Sequence, residues 1–101
     1  MQSSGLGNSV NALASLVVPY GLPIALLISE RGTLGEFNPV QVPITRTIRP
    51  ILDALGVAHH TPSRADELPF VAARALAQAF RTQAPVALIL SPLLTGGKND
   101  L

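Results

Sequence analysis

Two short, wholly apolar runs constrain this chain more than anything else in it: Ile24-Ala25-Leu26-Leu27-Ile28 and Val86-Ala87-Leu88-Ile89-Leu90. Each is preceded by a proline (Pro23, Pro85) and closed by a serine (Ser29, Ser91). Five residues is strand length, and unbroken rather than alternating apolarity predicts parallel strands covered on both faces. Val57 to His60 is a candidate third strand.

Helical patterns fill the intervals. Asn8 to about Leu16 places Val10, Leu13, Ala14 and Val17 on one face, with Asn8 or Ser9 as cap. Ile44, Ile48, Ile51, Leu52 and Leu55 predict a second helix stopped by Gly56; Pro50 makes it begin near Thr47 or kink. A third is predicted from Ala65 to Arg81. It has Ser63 and Asp66 as start signal, Pro69 in its first turn, and Leu68, Ala72, Ala75, Leu76, Ala79 and Phe80 as its buried stripe. Helix and strand alternate, which predicts a doubly wound α/β fold, a three-layer parallel sheet flanked by helices. Met1 is expected at the end of a strand preceding the first helix. So few buried parallel strands leave an open edge. Residues 1–94 therefore read as half of a domain, and 95–101 as a flexible tail.

Composition agrees with a partly covered molecule. Charged residues make up 13% of the 101 and hydrophobic ones 48%, against about 25% charge in ordinary soluble domains. The shortfall points to another chain, or further chain, covering part of the surface; a domain simply rich in Ala and Leu is the alternative. A net charge of +1 with 4% aromatics gives nucleic acid neither a basic patch nor a stacking platform. The chain has no cysteine, which removes disulfides, thiolate metal sites and a thiol nucleophile. Pro19, Gly21, Pro23 and Ser29 break the apolar stretches below membrane-spanning length, so a cytoplasmic protein is expected.

Gln2-Ser3-Ser4-Gly5-Leu6-Gly7-Asn8-Ser9 carries the chemistry. Two glycines spaced by one residue at a helix entrance predict a turn that lets backbone approach a ligand and points N–H groups outward. The segment lacks the third glycine and distal acid of a dinucleotide fingerprint, the lysine of a P-loop, and the pattern of a nucleophile elbow. On these residues alone a bare strand-to-helix turn with no ligand is the favoured reading.

Met1-Gln2-Ser3-Ser4-Gly5-Leu6-Gly7-Asn8-Ser9 resembles the "MQNSGLGNS" stretch of a family of thiamine-diphosphate-dependent 2-oxo-acid decarboxylases, those acting on sulfopyruvate and phosphonopyruvate. The resemblance continues through Asn11 to Leu16, Pro19-Tyr20, Ile28 to Gly32, Gly35 to Pro39, Gln41-Val42-Pro43, Arg49 to Gly56, and Pro85 to Ser91. Asn38-Pro39-x-Gln41 and Ser91-Pro92-Leu93-Leu94 resemble the sulfopyruvate α subunits more closely. The resemblance implies the second half of a pyrimidine-binding domain, in a lyase acting on a short anionic 2-oxo acid. It implies that Gln2, Ser3, Gly5, Leu6, Gly7 and Asn8 contact the aminopyrimidine end of the cofactor. It further implies a β subunit that holds the diphosphate through magnesium, within an oligomer. Ser3 stands where the family usually has Asn. The family's catalytic glutamate is expected upstream, and Glu30, Glu36 and Glu67 do not match its motif. A non-catalytic assembly module of the same fold, or an unrelated small α/β scaffold, are the rival readings.

Ser29 to Gln41 follows a buried strand, at the edge where open α/β sheets hold ligands. Arg31 there is a candidate partner for a sulfonate or phosphonate substrate, or else a surface residue pairing with Glu30 or Glu36. Adjacent His59 and His60 on an extended segment point to opposite faces and are not expected to share a metal. Arg46 and Arg49 read as solvated helix charges.

Overall fold

The computed structural model describes residues 1–30, 42–92 and 94. Its centre is β3 (Val86–Leu90), where Val86, Ala87, Leu88 and Ile89 are all buried. β1 (Ala25–Ser29) and β2 (Ala58–His60) flank it, both parallel to it, in the order β1-β3-β2. The register pairs Ala25 with Val86 and Leu27 with Leu88 on one side, and Ala58 with Val86 on the other. The predicted parallel α/β sheet is therefore present.

Strand alternation sends Ala87 and Ile89 to one face, where they join Leu26, Ile28 and Val57 beneath two helices. Those helices are α1 (Ser3–Ala12), contributing Leu6, and α3 (Ile48–Leu55), contributing Ile48 and Leu52. Val86 and Leu88 face the opposite way, against Ala75 and Ala79 of α4 (Leu68–Thr82). Crossovers between parallel strands keep one hand. Running outward from β1 to β2 and then back to β3 thus puts α3 and α4 on opposite faces.

Local chemistry sets the helix ends. A four-residue helix α2 (Val42–Thr45) precedes α3, and Pro50 falls at the third position of α3, where its missing N–H costs nothing. Gly56 closes α3 at φ +74°, the left-handed cap expected of it. A 3-10 turn (Ala65–Glu67) leads into α4, with Pro69 in the first turn as predicted. Gly21, at φ +62°, follows a π-helical turn (Leu13–Val17) that extends α1. A Cβ on Gly21 would lie 2.8 Å from the Gln83 carbonyl oxygen, so the connections at the amino edge of the sheet close only around glycine.

Three expectations need correction. The first helix begins at Ser3 rather than Asn8, so Gly5 to Asn8 form helix, not a turn. The cause is tertiary: the Met1 carbonyl accepts the Ser29 amide at 2.7 Å and Gln2 bridges Ser29 in parallel, so extended chain ends at Gln2 and the helix follows at once. Met1 is accordingly at the end of strand-like pairing, as expected. Second, Leu76 and Phe80 are 46% and 60% exposed rather than core. The face of α4 toward the sheet is Leu68, Val71, Ala72, Ala75 and Ala79; at roughly 100° per residue, Leu76 and Phe80 lie a quarter-turn or more away. Third, β1 is covered on one face only. Leu27 is 51% exposed on the α4 side, where the residues of α4 against the sheet include the small Ala72, Ala75 and Ala79. The expected tail 95–101 lies outside the described residues.

Candidate functional site

Three segments meet at the carboxyl edge of the sheet. α1 starts there, since Met1 pairs beside Leu27 and Ser29 at the end of β1. The N-terminal amides of a helix have no partner within it. The Gly5 and Leu6 amides donate to the Gln2 carbonyl at 2.9 and 3.2 Å, leaving those of Ser3 and Ser4 as the donors aimed out of the helix end. Gln2 is exposed beside them, and exposed Ser4 and Asn8, four residues apart, share one side of α1.

Packing accounts for Gly5 but not for Gly7. A Cβ on Gly5 would sit 3.1 Å from the Met1 Cβ, where the chain folds back against the helix it has just entered. A Cβ on Gly7 would lie 3.5 Å from Ile44 Cδ1, an ordinary contact between α1 and α2. Leu6 is fully buried in the core, so its side chain anchors the segment rather than facing a ligand. The structure thus brings Gln2, the first-turn amides and Asn8 to one exposed corner, and turns Leu6 inward. Arg31 lies outside the described residues, as do Glu36 and the Asn38-Pro39-x-Gln41 motif.

The edge also holds a feature that sequence reasoning missed. Glu30, the first residue past β1, is 6% exposed, and its amide continues the ladder by donating to the Leu90 carbonyl at 2.8 Å. Its carboxylate accepts Arg49 Nη1 at 2.5 Å, while Arg49 Nη2 donates to Thr61 Oγ1 at 3.1 Å, just past β2. Arg49 therefore reaches from α3 to residues following both outer strands, and is a paired, partly solvated charge rather than a free one. One signal was available: a cation in the first turn of a helix opposes the helix dipole, so it needs a carboxylate to hold it.

The histidines diverge as expected. His59 Nε2 lies 2.8 Å from Asp53 Oδ1 and His60 Nε2 lies 2.9 Å from Gln78 Oε1, on opposite faces of β2. No group of three potential metal ligands occurs among the described residues. A groove of about 320 Å³ runs between β2 and α4, lined by His60, Thr61, Phe70, Val71, Arg74 and Gln78 among others. It takes in none of the described site residues predicted from sequence. Among the described residues no helix is long and apolar enough to cross a membrane.

The architecture and this edge define the class: a doubly wound parallel α/β unit with its polar residues gathered where such sheets bind ligands. Known proteins narrow it. The chain is 38% identical over 93 residues to the sulfopyruvate decarboxylase α subunit of Methanocaldococcus jannaschii, covering 92% of this chain and 55% of that one. It is 37% identical over 93 residues to that of Methanococcus maripaludis, covering 92% and 56%. The α subunit of Methanothermobacter thermautotrophicus is 53% identical over 62 residues, 61% of this chain and 38% of that one. No protein-family profile matches the chain. The chain resembles sulfopyruvate decarboxylase α subunits over most of its own length and spans about half the length of those it matches.

Proposed function

We propose that this chain supplies the pyrimidine-binding half-domain of a thiamine-diphosphate-dependent decarboxylase acting on a short anionic 2-oxo acid of the 3-sulfopyruvate type. One observation supports it above the others: the segment most like the family opens a helix at the carboxyl edge of a parallel sheet, with the Ser3 and Ser4 amides and the Gln2 side chain directed outward. An aminopyrimidine is a neutral ring with donors and acceptors on its rim. Outward amides and an exposed carboxamide suit it better than a charged cluster would.

In this reading Gln2, Ser3, Gly5, Gly7 and Asn8 form the wall against the ring, Leu6 fixes that wall to the core, and Arg31 meets the substrate's anionic end. The bound cofactor supplies the electron sink for loss of carbon dioxide; the protein supplies orientation and electrostatics. The glutamate that exchanges a proton with the pyrimidine is assigned to none of the described carboxylates. Glu30 is already committed to Arg49, and Glu67 to Ser63 and Arg64 at the groove between β2 and α4. A β subunit holding the diphosphate through magnesium completes the site, in the cytoplasm.

A second reading, a non-catalytic assembly module, is favoured by the open face at Leu27, Leu76 and Phe80. The test is carbon dioxide release from 3-sulfopyruvate by the chain co-expressed with a diphosphate-binding β subunit, with and without added thiamine diphosphate and magnesium. Cofactor-dependent turnover is expected. An assembled complex that binds cofactor at no concentration and releases nothing overturns the enzyme reading in favour of the module.

A further inference from the structure

We infer that Arg49 is an anion-binding residue of the site, a guanidinium held in place by Glu30 and Thr61 to receive the sulfonate-class end of the substrate that survives decarboxylation. This rests on the decarboxylase reading and revises it at one residue, giving the substrate's retained charge to Arg49 instead of Arg31.

Position carries the first part of the argument. Arg49 joins a residue just past β1 to one just past β2, and β3 lies between those strands. The guanidinium therefore lies across the carboxyl edge of the sheet, the side on which open parallel sheets bind ligands. Availability carries the second. Among the described residues, Glu30 and Thr61 engage two of the five N–H donors of the guanidinium. The Arg49 side chain keeps 42% of its surface exposed while the Glu30 side chain keeps 6%. The carboxylate is thus the buried partner of the pair, and the Arg49 side chain the one that stays open to solvent.

Preorganisation is the third part. A free surface arginine loses rotamer freedom when it grips a ligand, whereas one already fixed by a buried carboxylate loses little. Glu30 neutralises the pair at long range, which weakens general attraction for anions. At contact distance the oxyanion still meets the N–H edge before the carboxylate, so the pair selects by geometry, and a planar fork fits the oxygens of a sulfonate.

The experiment uses the chain assembled with its β subunit and compares 3-sulfopyruvate with pyruvate, which lacks the second anion. Arg49→Met leaves Glu30 unpaired, so the double variant Glu30→Gln/Arg49→Met is measured beside it, with Arg49→Lys as the conservative change. The expected result is a KM for 3-sulfopyruvate raised at least tenfold in the double variant, partly restored in Arg49→Lys, with kcat/KM for pyruvate changed less than twofold. Equal losses on both substrates, or an unchanged KM for 3-sulfopyruvate, overturn the inference. If the wild-type assembly turns over neither substrate, the decarboxylase reading fails separately. Arg49 is then judged by side-chain NMR of the assembly titrated with methanesulfonate against chloride at equal ionic strength. A saturable shift of the Arg49 guanidinium signals with methanesulfonate alone supports anion binding, and no shift overturns it.

Discussion

The buried Glu30 carboxylate and the Arg49 guanidinium meet at 2.5 Å, joining the residue that leaves β1 to the first turn of α3. Removing one partner of a fully buried pair costs about 3–5 kcal/mol, because the other charge is stranded. Arg49 is partly solvated, so water reaches the pair and the cost is lower. Arg49→Met should destabilise the chain by about 2 kcal/mol, and Glu30→Gln/Arg49→Met by less than Arg49→Met alone. Urea denaturation of the three proteins checks this; a double variant less stable than Arg49→Met would contradict the pairing.

Gly21 makes a sharper structural prediction than either glycine of the amino-terminal segment. Its φ of +62° disfavours any side chain, and its Cβ would press on the Gln83 carbonyl at 2.8 Å. Gly21→Ala should cost about 2–3 kcal/mol, the left-handed penalty plus the overlap. Gly56, also left-handed but with nothing within 4 Å, should cost only about 1 kcal/mol as alanine. Thermal unfolding of the two variants gives the comparison, and equal costs would refute it.

Gly7 lies inside α1 with room for a methyl group 3.5 Å from Ile44. Gly7→Ala should therefore be neutral or stabilising by up to about 1 kcal/mol through helix propensity. Gly7→Val would push its branched methyls against Ile44, so it reports on packing as well as on binding. A loss of stability in Gly7→Ala, read by circular dichroism melting, would contradict the helix.

Leu76 and Phe80 test the open face. Leu76→Gln and Phe80→Glu should each shift the stability of this chain by no more than about 0.5 kcal/mol, as surface changes do. They should also reduce concentration-dependent self-association in sedimentation. A loss of several kcal/mol would mean that these side chains are core after all.

These cases show what the residues reveal and what they withhold. β3 was legible because an unbroken apolar run has one economical home, between two layers. β1 has the same pattern, yet Leu27 is half exposed, since strand composition does not say how far a covering helix extends. α1 was misplaced because Gly5 and Gly7 read as breakers, while the backbone pairing of Met1 with β1 that sets its start joins residues 26 apart. Pro50, Gly56 and Pro69 act locally, and their effects were all foreseen. Arg49 escaped because its partner lies 19 residues away, and only the strand order brings the two together.

The central claim, that the amino end of α1 faces the pyrimidine ring, is tested most directly by backbone amide NMR of the isotopically labelled chain assembled with its β subunit. Thiamine diphosphate and magnesium are added and the shifts of each amide followed. The account predicts saturable shifts concentrated at Gln2, Ser3, Ser4 and Asn8, with the amides of β2 and the outer face of α4 unmoved. Saturable binding that instead moves His60, Phe70 and Arg74, in the groove between β2 and α4, would contradict it.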